Sequence, residues 1–274
     1  MKAIDFHVHL PLKEHNEFLG DLLEPAKKYF NIDIEVKDTK EVLDYMSSLG
    51  IERVVVLPID CSTNLGRKIP NESVLSIKDD RVIKFVSVDP LKTNSLEELR
   101  SLLSNSEVFG VKFHPIAQNF HPLDERALRL YRLIDDKGLI ALFHTGFTGI
   151  GAGIRTNFRL DYGRPIYFDE IAINFPNMKI VLAHFGWPWV DEAIAVALHK
   201  PNVYLDLSGW APKYIPQTIW NFSKGKLQDK LLFGSDYPVI KPERWLREFN
   251  EIINIPNEIK EKILYKNAKK LLNI

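Results

Sequence analysis

Cysteine is almost absent: the chain has one, Cys61. An intrachain disulfide and a cysteine metal cluster are both excluded. Net charge is absent too. Lysine plus arginine number 36, as do aspartate plus glutamate. That removes the basic excess on which broad nucleic-acid binding rests. No stretch approaches the ~20 apolar residues of a membrane-spanning helix. Low-complexity tracts, linkers and fixed-period repeats are missing as well. No leader is expected, because a strand pattern starts near the amino end and polar candidate ligands follow at once. These absences suit a cytoplasmic protein whose partner is a small molecule, with no nucleic acid and no membrane.

What is present is a core. Hydrophobic residues make up 45% of the 274, enough for one large domain; an α/β barrel takes ~250 residues. Apolar runs bounded by turn signals read as buried parallel strands. They fall at Ala3–His9, Arg53–Pro58, Val82–Val88, Val108–His114, Leu139–His144, Lys179–His184, Asn202–Leu207 and Leu231–Ser235. Helical patterns lie between and after them. Thr39–Leu49 and Asp124–Lys137 stop at Gly50 and Gly138, residues suited to a helix end. Ser95–Leu103 offers Ser95 as N-cap with Glu98 three residues on. Pro165–Asn174, Trp189–Lys200, Pro212–Asn221, Pro242–Ile253 and a closing helix, Asn257–Leu272, follow. The alternation predicts one α/β domain over residues 1–274, a single (β/α)8 TIM barrel. Two connections exceed what a barrel needs: an insertion after strand 1, Leu10–Asp38, and a long loop after strand 5, Gly146–Arg164. Both would lie over the mouth where barrel active sites sit.

The chemistry concentrates at strand ends. In Asp5-Phe6-His7-Val8-His9 the period of two puts Asp5, His7 and His9 on one face and Phe6 and Val8 on the other. Two imidazoles so spaced can reach one metal ion. His114, His144, His184 and Asp236 end strands four, five, six and eight. Imidazole and carboxylate suit zinc and other borderline divalent ions. The loop after His144 carries four glycines and then Arg155, Arg159 and Arg164. It reads either as a flap clamping a substrate carboxylate or as solvated arginines paired with Asp161 or Asp169. Trp187 and Trp189 read as pocket wall or as packing. Cys61 reads as a buried small apolar residue, His15 and His121 as surface or loop histidines, His199 as structural. His114 reads as a pocket residue without a defined role.

These residues resemble the amidohydrolase superfamily. The finer text is similar to its amidohydrolase-related branch, which includes the aminocarboxymuconate-semialdehyde and resorcylate decarboxylases beside hydrolases. The matching pieces are Gly110-Val111-Lys112-Phe113-His114-Pro115, His144-Thr145-Gly146, Ala183-His184-Phe185-Gly186 and Gly234-Ser235-Asp236-Tyr237-Pro238. The resemblance covers nearly the whole chain in order and is least specific over Leu10–Lys40. It implies one divalent metal held by His7, His9, His144 and Asp236, most simply Zn2+, with Mn2+, Co2+ or Fe2+ as alternatives. It implies His184 as general base or acid. In two-metal relatives the matching histidine is a ligand and a carboxylated strand-four lysine bridges the ions; Lys112 would be that lysine. Lys112, His114, Arg155, Arg159 and Trp187 stand as substrate-binding candidates. Asp5 is expected beneath the histidines, fixing an imidazole. Superfamily barrels often pair, so a homodimer is compatible.

The expected reaction is hydrolysis of a small lactone, amide or ester by a metal-activated water. Asp236 would take the proton and His184 would pass it to the leaving group. The alternative is non-oxidative decarboxylation of a carboxylated aromatic or muconate-like acid, which uses the same ligands. The compact chain favours hydrolysis, since such decarboxylases often carry longer insertions. A TatD-like deoxyribonuclease also starts with His-x-His, but it expects a strand-four glutamate where this chain has Lys112 and His114. A metabolite-binding barrel without turnover would be expected to have lost a ligand.

Overall fold

The computed structural model describes residues 1–274. Eight parallel strands form the sheet in chain order: β1 (Ala3–Val8), β2 (Ile51–Val56), β3 (Val82–Ser87), β4 (Val108–Phe113), β5 (Ile140–His144), β6 (Lys179–Ala183), β7 (Val203–Asp206) and β8 (Leu231–Leu232). β8 is short, so the seam back to β1 is closed by single bonds rather than a full ladder. Phe6 N donates to Phe233 O (2.9 Å), Asp236 N to His7 O (2.9 Å) and His9 N to Tyr237 O (2.8 Å). The result is a (β/α)8 barrel.

Full helices follow most strands. Among them are Thr39–Ser48, Glu125–Asp136, Val190–His199 and Pro242–Ile252. The terminating glycines behave as their positions predict, with φ of +82° at Gly50 and +62° at Gly138. Three local expectations need correction. Ser95 is the first helical residue, not the cap, and Glu98 pairs with Lys92 instead of closing a capping box. The expected Pro212–Asn221 helix splits into a 3-10 turn, Pro212–Tyr214, and a helix, Gln217–Ser223, because Pro216 lacks the N–H that continuation needs. The closing helix contains a π turn at Lys262–Lys266, and there Ile263 O accepts from Phe233 N (3.0 Å) of the seam.

The core has two layers. Ile4, Phe6, Val55, Phe85, Leu142 and Val181 fill the barrel, and Ala268 and Leu271 of the closing helix join this cluster. The outer layer lies between strands and helices, where Phe113 and Phe143 stack at 5.2 Å. Burying one such aromatic contributes ~1.5–3 kcal/mol. No helix is long and apolar enough to cross a membrane.

Strict alternation fails in β1. Asp5 pairs with Val54 but Val8 pairs with Val56, three residues set against two. The register shift separates Phe6 from Val8: Phe6 packs inside the barrel, Val8 in the outer layer. The expectation that these two share a face was therefore wrong. A register shift of this kind re-aims side chains, here at the strand end that carries the histidines.

Candidate metal centre and cavity

Strand ends build the site. His7 is buried at the end of β1, beside the shift. Its Nδ1–H donates to Asp206 Oδ2 (2.6 Å), and Ser208 Oγ also donates to that oxygen (2.7 Å). An ionised carboxylate only accepts, so the imidazole proton sits on Nδ1 and Nε2 carries the lone pair. His9 repeats the logic with a backbone partner: Nδ1–H donates to Leu57 O (2.9 Å). Burial pushes both imidazoles well below their ordinary pKa, which keeps them neutral, as metal ligands must be.

The two unprotonated nitrogens converge on one carboxylate. Asp236 Oδ1 lies 3.4 Å from His7 Nε2 and 3.6 Å from His9 Nε2. One donor atom from each of the three residues lies within 4.8 Å of the others. Asp236 sits at φ +62°, and His184 across the mouth at the same angle. That left-handed backbone is strained for residues with side chains and recurs at functional sites. No N–H or O–H group of the protein donates a short hydrogen bond to the Asp236 carboxylate. Burial, with Asp206 and Asp5 nearby, raises its pKa to about 7 against the opposing pull of Lys112. A crowded, half-buried carboxylate without a donor, facing two imidazole lone pairs, fits a divalent cation.

His144 stands apart from this group. Its Nε2 lies 3.3 Å from Phe147 O, and its ring stacks on His114 with centroids 3.8 Å apart. Ala117 N donates to His114 Nδ1 (3.2 Å), which leaves the His114 proton on Nε2, buried and without a partner. His184 donates from Nδ1 to Ser208 O (3.0 Å), so its Nε2 is the basic nitrogen. Lys112 is buried, donates to His7 Nε2 (3.2 Å) and has its pKa pushed down to about 8, chiefly by burial.

A cavity of about 360 Å3 opens over these groups and is lined by His7, His9, Lys112, His114, His144, His184 and Asp236. Other sequence candidates lie elsewhere. Arg155 is exposed, and Arg159 pairs with Asp161 (3.0 Å) in the solvent-facing part of its loop. Trp187 is 36% exposed and packs against Trp210 (5.0 Å), and it is Trp210 that faces the cavity. Asp5 touches no imidazole: its Oδ1 accepts from Ser235 N (2.9 Å) and His7 N (3.2 Å), holding strand ends together. Asp206 has the imidazole-fixing place instead. Its signal was weaker than that of Asp236, since Leu207 carries the seventh apolar run past it. His15 is buried and faces the cavity, contrary to a surface reading.

The family model for amidohydrolases matches residues 4–274. No curated protein matches the chain. Among solved structures, a TIM-barrel protein of Bordetella bronchiseptica superposes with a TM-score of 0.83 at 23% identity, covering 100% of this chain and 99% of that one. A 2,6-dihydroxybenzoate decarboxylase complexed with 2,6-dihydroxybenzoate gives 0.71 at 14%, with 100% of both chains covered. A dihydroxybenzoic acid decarboxylase from Polaromonas, with bound manganese and 2-nitroresorcinol, gives 0.70 at 14%, covering 99% and 97%. At these identities the likenesses establish the fold.

Proposed function

The chain belongs to the amidohydrolase family, whose members are metal-dependent enzymes, and on that premise we propose that it hydrolyses a small neutral carbonyl compound: a lactone, an ester or an amide. The observation that carries this reading is the convergence of His7 Nε2, His9 Nε2 and the donor-free Asp236 carboxylate. These three would hold one divalent ion, zinc first and manganese, cobalt or iron as alternatives, with His144 as a further ligand once its Nε2 leaves Phe147 O. Such an ion, when bound, lowers the pKa of water towards ~7 and polarises a carbonyl.

The chain's own groups supply the rest. Asp236 is placed to accept the proton of the attacking water. His184, with Nδ1 fixed on Ser208 O, has Nε2 free to carry a proton to the leaving group. The His114 Nε2–H is a spare donor for a substrate oxygen. The Lys112 ammonium favours negative charge developing near His7.

Decarboxylation of a carboxylated aromatic is the second reading, favoured by the decarboxylases among the structural neighbours. The absence of arginine from the cavity lining weighs against it. The test is to incubate metal-loaded protein with lactones, esters, amides and 2,6-dihydroxybenzoate, following acid release and carbon dioxide together. Acid without carbon dioxide supports hydrolysis. Carbon dioxide from the benzoate, with the other compounds untouched, reverses the choice.

A further inference from the structure

The cavity has two chemically different halves. Its floor is made by the strand ends and holds its only charged groups, Lys112 and Asp236. Its wall is made by the two long connections and is apolar. Phe18, Leu19 and Ile34 come from the insertion after β1, Phe147 and Ile150 from the loop after β5, and Trp210 from the segment after β7. The wall's one imidazole is His15, at its border with the floor, 6.1 Å from the His9 ring.

The two connections are fitted to each other. Tyr29 and Phe147 approach to 5.7 Å between ring centroids. A Cβ at Gly149 would collide with the Phe30 ring, so the second loop lies against the insertion with that ring seated over its glycine. Phe18, Leu19 and Ile34 also form a small core of their own with Ile59, Cys61 and Ile69, against which Ile150 packs. The wall is therefore a built surface with its own packing, not a loose loop.

We propose that the part of the substrate away from the reacting carbonyl is an uncharged apolar chain or ring of about eight carbons, lodged against this wall. The proposal rests on the hydrolase reading of the floor and adds the substrate class. Its size follows from the volume: about 360 Å3, at ~30 Å3 per water-sized group, holds roughly a dozen non-hydrogen atoms. Three or four of these belong to the reacting group. Its neutrality follows from the lining, since a distal carboxylate would lose its water against the wall and meet no cation there.

The probes are straight-chain alkanohydroxamic acids of two to ten carbons, titrated into the zinc-loaded full chain and read by tryptophan fluorescence. A second arm titrates 1-alkanols of the same lengths into the metal-free chain. Affinity should rise about fourfold per methylene until about eight carbons and then level off, with the same slope in both arms. An ω-carboxylate on the eight-carbon probe should weaken binding about thirtyfold or more. In Phe30→Ala, which removes a ring that also lines the cavity, the slope should flatten for long chains while acetohydroxamic acid binds as before. No dependence on length in either arm, or tighter binding of the ω-carboxylate, overturns the proposal. The floor reading fails separately: a length-dependent series with no ester, lactone or amide cleaved removes hydrolysis and leaves the apolar subsite standing.

Discussion

Replacing Asp206 by asparagine changes almost no volume and removes one buried negative charge, 2.6 Å from His7 Nδ1. The carboxylate can only accept, and that fixes the imidazole proton on Nδ1 and the lone pair on Nε2. An asparagine amide can instead donate to Nδ1, which lets the proton move to Nε2, the nitrogen that faces Asp236. Ser208 Oγ, which donates to the same oxygen, loses its charged acceptor as well. Groups that orient a metal-binding imidazole in this way typically contribute ~10- to 100-fold in metal affinity, or about 1.4–2.7 kcal/mol. The assay is competition for zinc against a chromogenic chelator, with a thermal melt to confirm folding. Asp206→Asn should lose about 10- to 100-fold. Asp5→Asn should lose less than about threefold, because Asp5 bonds backbone N–H groups and no ring nitrogen. Equal affinity in Asp206→Asn and wild type, or a larger loss in Asp5→Asn, would refute the assignment of the orienting carboxylate.

Other consequences are as direct. His15 has its pKa lowered from 6.5 to about 4 by burial. Between those values the unfolded chain binds more protons than the folded one, so stability falls as pH drops from about 6.5 to about 4, by on the order of 3 kcal/mol. Chemical denaturation across that range should show a shallower fall in His15→Phe; identical slopes would exclude His15 as the cause. Arg155→Ala and Arg159→Ala should leave kcat/KM within about twofold, as both side chains stand clear of the cavity; a tenfold loss in either would restore the clamp. Phe85→Ala removes a fully buried ring that meets Phe6 edge-on at 6.2 Å. It should cost about 3–5 kcal/mol in urea unfolding, and a cost under 1 kcal/mol would contradict the account of the barrel interior.

The barrel was legible because its strands are uninterrupted apolar runs, each ending at a turn residue, and parallel strands buried on both faces need such runs. His7, His9, His184 and Asp236 were legible because they stand where those runs stop. The register shift in β1 was not. A shift depends on how β1 pairs with β2, and pairing leaves no mark on either strand alone. Asp206 was missed for a different reason: it sat inside the span assigned to the seventh strand, so it was read as part of the run. His15 belongs to a short helix, Lys13–Leu19, in which His15, Phe18 and Leu19 share one face. That i, i+3, i+4 spacing was in the sequence, but seven residues are too few for the pattern to stand out from a loop. Of the two readings of the arginines, side-chain chemistry alone could not choose, since it says only what a group could bind; the glycine-rich turn before them carries Arg155 into solvent and Arg159 pairs with Asp161, the second reading.

The most direct test of the central claim is elemental analysis of the purified full chain beside His9→Ala and Asp236→Ala, after reconstitution with zinc or manganese. The account predicts about one divalent ion per chain in the wild type and loss of it in both variants. No bound ion in the wild type, or an ion retained by both variants, would contradict it.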